Sequence, residues 1–445
     1  MRGTRLTQSS SPDSRAMSAA RLLSVLLPLV SVSLAAAASP VWRPFSAGSP
    51  WNQRLPAGAP SDRDSAAAIA DLASRGPLYV NIKDWSIPVY FIDAAKTPRH
   101  DVGDLRPDIY GAGFEFPRSI PIPDGAVASP PVGENSDNHL CIVDKARHLE
   151  WGMWAARQDK TGRWFTGLGA VTDLSGTGVA PPWFAARHEL DSHRARASGF
   201  PLIAGLMLVD EITTGRIDHA LVFAYDHCRT GLFIPPASTA QVKMPTTENS
   251  RGIPMGGRIQ LDPAWDVEHS RLSAAGKIIA RALQEYGAYC GDYAGANVLY
   301  AENSPEAVRA WAGVLQSGDL EAVFTPEMIR QHFRVLDMGN LLPGQNLEVP
   351  PPYVISFAVA GEVGPARIDQ LTRTITVYPG KAPATKARTT WTLHPRLTRA
   401  EMDGRTLAGG SAEIDLAGAS TLKLTAPDGA TNTWQLVTSP APARP

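Results

Sequence analysis

The stretch from Arg194 to His227, RARASGFPLIAGLMLVDEITTGRIDHALVFAYDH, constrains the fold more than any other part of the chain. Two apolar runs, Phe200 to Val209 and Ile217 to Tyr225, flank Gly215. Buried segments joined by a short polar turn predict the middle of a sheet or sandwich. In the second run Ile217, His219, Leu221, Phe223 and Tyr225 share one strand face, and Asp218, Ala220, Val222 and Ala224 the other. Arg194 and Arg196 lie just upstream, so ionisable groups are carried to the edge of a core.

Charge does little to narrow the partners. Lys and Arg number 42 and Asp and Glu 43, a near balance that predicts no basic surface of the kind nucleic acid requires. Gly and Pro, 38 of each, fall mostly between short apolar runs, a pattern of many turns and a β-rich chain. The first 38 residues read as an export signal: Arg2, Arg5, Arg15 and Arg21, then apolar Leu22 to Leu34, then small Ala35 to Ala38. The expectation is a secreted protein, extracellular or periplasmic, with no membrane span in the mature chain. Cys141, Cys228 and Cys290 form no CxxC and are expected as small core residues.

Local patterns place the elements. Residues 39–60 read as an arm packing Trp42, Phe45 and Trp51 onto the domain, and residues 64–74 as a short helix ended by Gly76-Pro77. His139 to Ala156 reads as a hairpin turning at Lys145-Ala146. A register that pairs Val143 near His148 puts Glu150 opposite Cys141 and diagonal to His139. Leu149, Trp151 and Met153 then face a core. HELDSH, with His188 and His193 five apart, misses the spacing of a zinc-protease helix. A helix is expected over 272–289 with Ser273 as cap, and another from Ser304-Pro305 to Gln316. After a stiff linker at Val349 to Pro352 the chain is short strands and turns, with Pro427-Asp428-Gly429 as a hairpin signal.

Residues 352–439, through ARIDQLTRTITV and LKLTAPDGATNTWQLV, resemble small immunoglobulin-like domains appended to secreted bacterial enzymes and surface proteins. SPWN, DNHLCIVD, ASGFPLIAG and GRIDHAL resemble a group of secreted bacterial proteins of poorly defined activity. That resemblance implies export and β architecture and transfers no catalytic residue. The expected fold is mainly β. A β-sandwich or jelly-roll-like domain over 39–348, with helical decoration at 262–316, precedes a small immunoglobulin-like sandwich over 349–445 with a disordered tail.

No GxSxG elbow is present, and no cysteine sits persuasively beside a histidine. The leading expectation is a polysaccharide lyase: eliminative cleavage of a uronate glycan needs a group to neutralise the carboxylate, a base and an acid, and Arg196, His139 or His219, and Tyr286 fit those roles. Glycoside hydrolysis needs two carboxyl groups, and Glu150 with Asp137 or Asp218 fits that alternative. Trp154, Arg194 and Tyr289 are the candidate substrate contacts. A non-enzymatic glycan-binding or adhesion protein is the third reading. In each case the partner is an extracellular polysaccharide. No cofactor is specified; a divalent metal on His139, His219 and a carboxylate would need those groups within about 4 Å of a common point.

Overall fold

The computed structural model describes residues 41–107, 119–130, 136–182, 195–229, 231–240, 251–316, 318–344, 354–369, 372–380, 386–393, 399–418, 420–426, 429 and 431–440. The architecture is mainly β and sandwich-like. A six-stranded sheet runs in the order Leu78–Asn81, Asn297–Tyr300, Leu221–Ala224, Ala288–Asp292, Arg258–Leu261, Phe333–Val335. Two of its pairs are parallel, Leu78–Asn81 with Asn297–Tyr300 and Leu221–Ala224 with Ala288–Asp292. The central strands LVFA, AYCGD and NVLY are almost wholly buried, so period-two alternation is not the only pattern that marks them.

A four-stranded sheet, in the order Leu168–Asp173, Leu149–Trp154, Leu140–Asp144, Val89–Phe91, is buried on both faces of its hairpin. Cys141 and Val143 belong to the core of the large sheet, whereas Leu140, Ile142, Trp151 and Met153 belong to a second core with Ile120, Ile122 and Trp164. The expected core face of Leu149, Trp151 and Met153 is therefore borne out. The observed register pairs Val143 with Glu150 and Cys141 with Gly152. Compared with the expected register this is a shift of two residues along the strand. Glu150 keeps its face but is drawn away from His139.

The stretch that constrained the sequence reading folds differently from expectation. Residues 202–205 form a turn and Val209–Thr214 is a helix closed by Gly215 at φ 89°. The strand begins only at Leu221, so His219 lies on the bend that precedes it. The helix Ala274–Glu285 has Ser273 as its cap, its hydroxyl accepting from the Gly276 N–H at 3.1 Å. The strand Ala288–Asp292 follows at once, so Tyr289 is a strand residue. The second helix is Pro305–Trp311, again with a serine cap. The arm packs as expected: Phe45 and Trp51 are buried, and the Trp51 ring lies 5.0 Å from Phe200.

The described residues of 354–438 form two further sheets around a core of their own. Val354–Val359, Lys386–Leu393 and Ser411–Asp415 make one sheet, and six strands including Ser420–Thr425 and Thr431–Thr438 make the other. Phe357 and Trp391 from the first sheet and Ile375, Leu424, Trp434 and Leu436 from the second share one core. Pro427 and Asp428 lie outside the described residues, but the strands on either side pair as an antiparallel hairpin.

Gly205 marks where the turn after Phe200 meets the large sheet. Its φ is 67°, and a Cβ would lie 2.8 Å from the backbone of Leu221 and Val222. Gly205→Ala should cost about 3 kcal/mol in urea unfolding, because backbone cannot yield as a side chain can. Gly215→Ala, with nothing within 4 Å of its Cβ, should cost only about 1 kcal/mol. Equal losses would show that close approach at Gly205 is unimportant.

Candidate active site

The site is organised by two charged side chains that hold one buried loop. Glu150 is 1% exposed, and its carboxylate accepts from the N–H groups of Leu202 at 2.8 Å and Ile203 at 3.4 Å. Arg196 is also buried, and its Nη2 donates to the Leu202 carbonyl at 3.1 Å. The peptide at Leu202 is thus gripped from both sides. The Arg196 guanidinium lies 4.6 Å from the centre of the Tyr300 ring and 4.0 Å from the Asp292 carboxylate. Its Nε and Nη1 have no hydrogen-bond partner among the described residues.

Asp292 ends the strand Ala288–Asp292 and is only partly covered, its side chain 14% exposed. It accepts from the Tyr293 N–H at 3.0 Å and from the Ala197 N–H. Burial pushes its carboxyl up to about 7; Arg196 opposes this and the nearby Asp137 charge adds to it. Asp137 reaches this point from the segment before the strand Leu140–Asp144. Its backbone carbonyl accepts from Ala155 N–H at 2.7 Å, and its carboxylate from Trp154 Nε1 at 3.2 Å. His139 is buried beside them. Burial holds its imidazole down at about 4 despite the pull of Asp137, with Arg196 also lowering it. The neutral ring therefore donates through Nε2 to the Ala195 carbonyl at 3.1 Å.

Asp137, His139, Trp154, Arg196 and Asp292 thus meet at one end of the two sheets. Of the predicted site residues, His139, Glu150, Arg196 and Trp154 belong to this neighbourhood, but Glu150 and Arg196 face inward and position the loop. Asp292 was not singled out by the sequence reading; its position at a strand end beside ASGF is apparent only after folding. His219 sits apart, 4% exposed, with Nε2 2.9 Å from Glu211 and Nδ1 2.9 Å from the Ala220 carbonyl. Burial alone would lower its pKa, but the Glu211 carboxylate outweighs that and raises it. Asp218, Tyr286 and Tyr289 form a third group. The Tyr286 hydroxyl donates to Asp218 at 3.4 Å, and Arg258 Nη1 donates to the Tyr289 hydroxyl at 3.0 Å. Arg194, His188 and His193 lie outside the described residues.

Among the described residues no three His, Cys, Asp or Glu side chains gather as a metal site. Nor is any described helix long and apolar enough to cross a membrane. Cys141, Cys228 and Cys290 are all buried and free, as core residues should be.

No protein-family model matches this chain, and no curated protein matches it. Among solved structures, a Bacteroides thetaiotaomicron protein provisionally described as a glycoside hydrolase is similar over 22% of this chain and 28% of that chain. The identity is 19% and the TM-score 0.18.

The two buried histidines give opposite pH signatures. Between about pH 4 and 6.5 the unfolded chain protonates at His139 and the folded chain does not, so stability falls as pH falls, on the order of 3 kcal/mol in full. The contribution of His219 is complete below 6.5 and is lost as pH rises through its higher folded value. Urea denaturation from about pH 4 to about pH 9 should show His139→Gln relieving the acid loss and Glu211→Gln removing the alkaline one. Profiles unchanged by both substitutions would refute these assignments.

Proposed function

We propose that the protein is an exported enzyme that hydrolyses glycosidic bonds, with Asp292 and Asp137 as its working carboxyl pair. The observation that carries this reading is the partly open Asp292 carboxyl, raised to about 7 by burial with the Asp137 charge beside it. A carboxyl group protonated near neutrality can give its proton to a leaving glycosidic oxygen while a second carboxylate serves as base or nucleophile. Trp154, hydrogen-bonded to Asp137 and partly exposed, supplies an aromatic face for a sugar ring. Neutral His139 and buried Arg196 act as positioning residues behind the pair. The sandwich at 354–438 is read as an accessory module.

Eliminative cleavage of a uronate is less well supported by this geometry. Arg196, the group assigned to neutralise the uronate carboxylate, has a side chain 0% exposed. Glu150, first considered as a hydrolytic carboxylate, is occupied with the amides of Leu202 and Ile203.

The test uses the full chain on a panel of neutral and uronate-containing polysaccharides, reading reducing ends and the ultraviolet absorbance of a new C=C bond separately. Reducing ends without new absorbance are expected, with the rate falling as pH rises through about 7. Asp292→Asn and Asp137→Asn should each lower kcat by about 100-fold or more, whereas Trp154→Ala should mainly raise KM. Absorbance rising with the reducing ends would instead establish a lyase. Reducing-end release that survives Asp292→Asn would remove this residue from the reaction.

A further inference from the structure

A second site lies where the large core meets the C-terminal sandwich, separate from Asp292 and independent of the reading above. The two parts are clamped there by Asn340, whose side chain donates to the Ala366 carbonyl at 3.1 Å and accepts from the Ile368 N–H at 2.7 Å. Beside this clamp is a narrow open cleft with about 30 Å³ of room for water-sized groups. Asp62, Arg63, Asp64, Arg229, Arg367 and Asp369 supply its charged lining.

The formal charges balance, but their commitments do not. Asp62 accepts from the N–H groups of Asp64 at 2.8 Å and Met338 at 3.4 Å. Asp369 accepts from the Thr372 N–H at 3.0 Å and from Arg63, and Arg63 also lies 3.6 Å from Asp64. Arg229 is different. It is 3% exposed, and its guanidinium makes one hydrogen bond, from Nε to the Gly252 carbonyl at 2.9 Å. Its two Nη groups have no partner among the described residues, although the side chain lines the cleft. Arg367, on the sandwich side, is exposed and likewise has no partner among the described residues. The Nη groups of Arg229 are not sealed from solvent, so their donors open onto the cleft, and no described residue accepts from them. A planar fork of donors matches the oxygens of a carboxylate or phosphate group.

We infer that this cleft binds the oxyanion group of a small molecule, a carboxylate or a phosphate, between Arg229 of the main core and Arg367 of the sandwich. Recognition comes from directed N–H donors rather than from net field. Occupancy would join the two parts of the chain through the ligand.

The test is titration calorimetry of the full chain at low chloride with inorganic phosphate, glucuronate and glucose as probes. Saturable one-site binding of phosphate or glucuronate, and none of glucose, is expected. Which of the two binds identifies the source of the oxyanion. Arg367→Ala and Arg229→Gln should each weaken binding by about tenfold or more, as loss of a charge-assisted pair implies. Arg367 is exposed, so its substitution leaves the fold intact and keeps the test decisive if Arg229→Gln does not fold. No binding of either anion would overturn the inference and leave a cleft filled by water. So would binding unchanged in the Arg367 variant and in a folded Arg229 variant.

Discussion

The grip of Glu150 on the amides of Leu202 and Ile203 is the contact on which the candidate site depends. It ties the hairpin Leu140–Asp144 and Leu149–Trp154 to the loop that leads into the large sheet. Two buried N–H groups would otherwise be stranded, at about 1–3 kcal/mol each. With the loop fixed, Arg196 is carried under Tyr300 and beside Asp292. A carboxylate that holds a loop thereby sets the surroundings of Asp292.

The environment separates groups that are alike in sequence. His139 and His219 are both almost fully buried, yet one is held down at about 4 and the other is raised. The difference lies in what faces each ring. Among the described residues the His139 ring bonds only a carbonyl, and burial with Arg196 outweighs the more distant pull of Asp137, whereas His219 contacts the Glu211 carboxylate directly. Asp292 is lifted because burial outweighs Arg196 and Asp137 adds a like charge. Asp62, in the junction cleft, receives one local N–H group, from Asp64, and one from distant Met338. Burial and neighbouring charge, rather than residue type, set these differences.

Much of the local structure was legible in the chain. The Ser273 and Ser304 caps, the helix closed by Gly76-Pro77 and the hairpin turning at Lys145-Ala146 follow from capping, breakers and alternation, which act over a few residues. Phe200 to Val209 misled because a short apolar run reads alike as buried strand, turn or helix. The hairpin register was off by two residues because the alternation pattern repeats every two.

The sequence by itself determined a mainly β chain with three core-type cysteines, and it drew attention to His139, Glu150, Arg196 and Trp154. Those inferences need only composition, period and neighbouring residues. Tertiary structure alone decided that Glu150 and Arg196 hold a loop, that His219 pairs with Glu211, and that the Asp137 charge acts on Asp292. It also decided that Arg229 and Arg367 line one cleft. Each of these depends on contacts between residues far apart in the chain, and burial and charge fix their roles only after those contacts form.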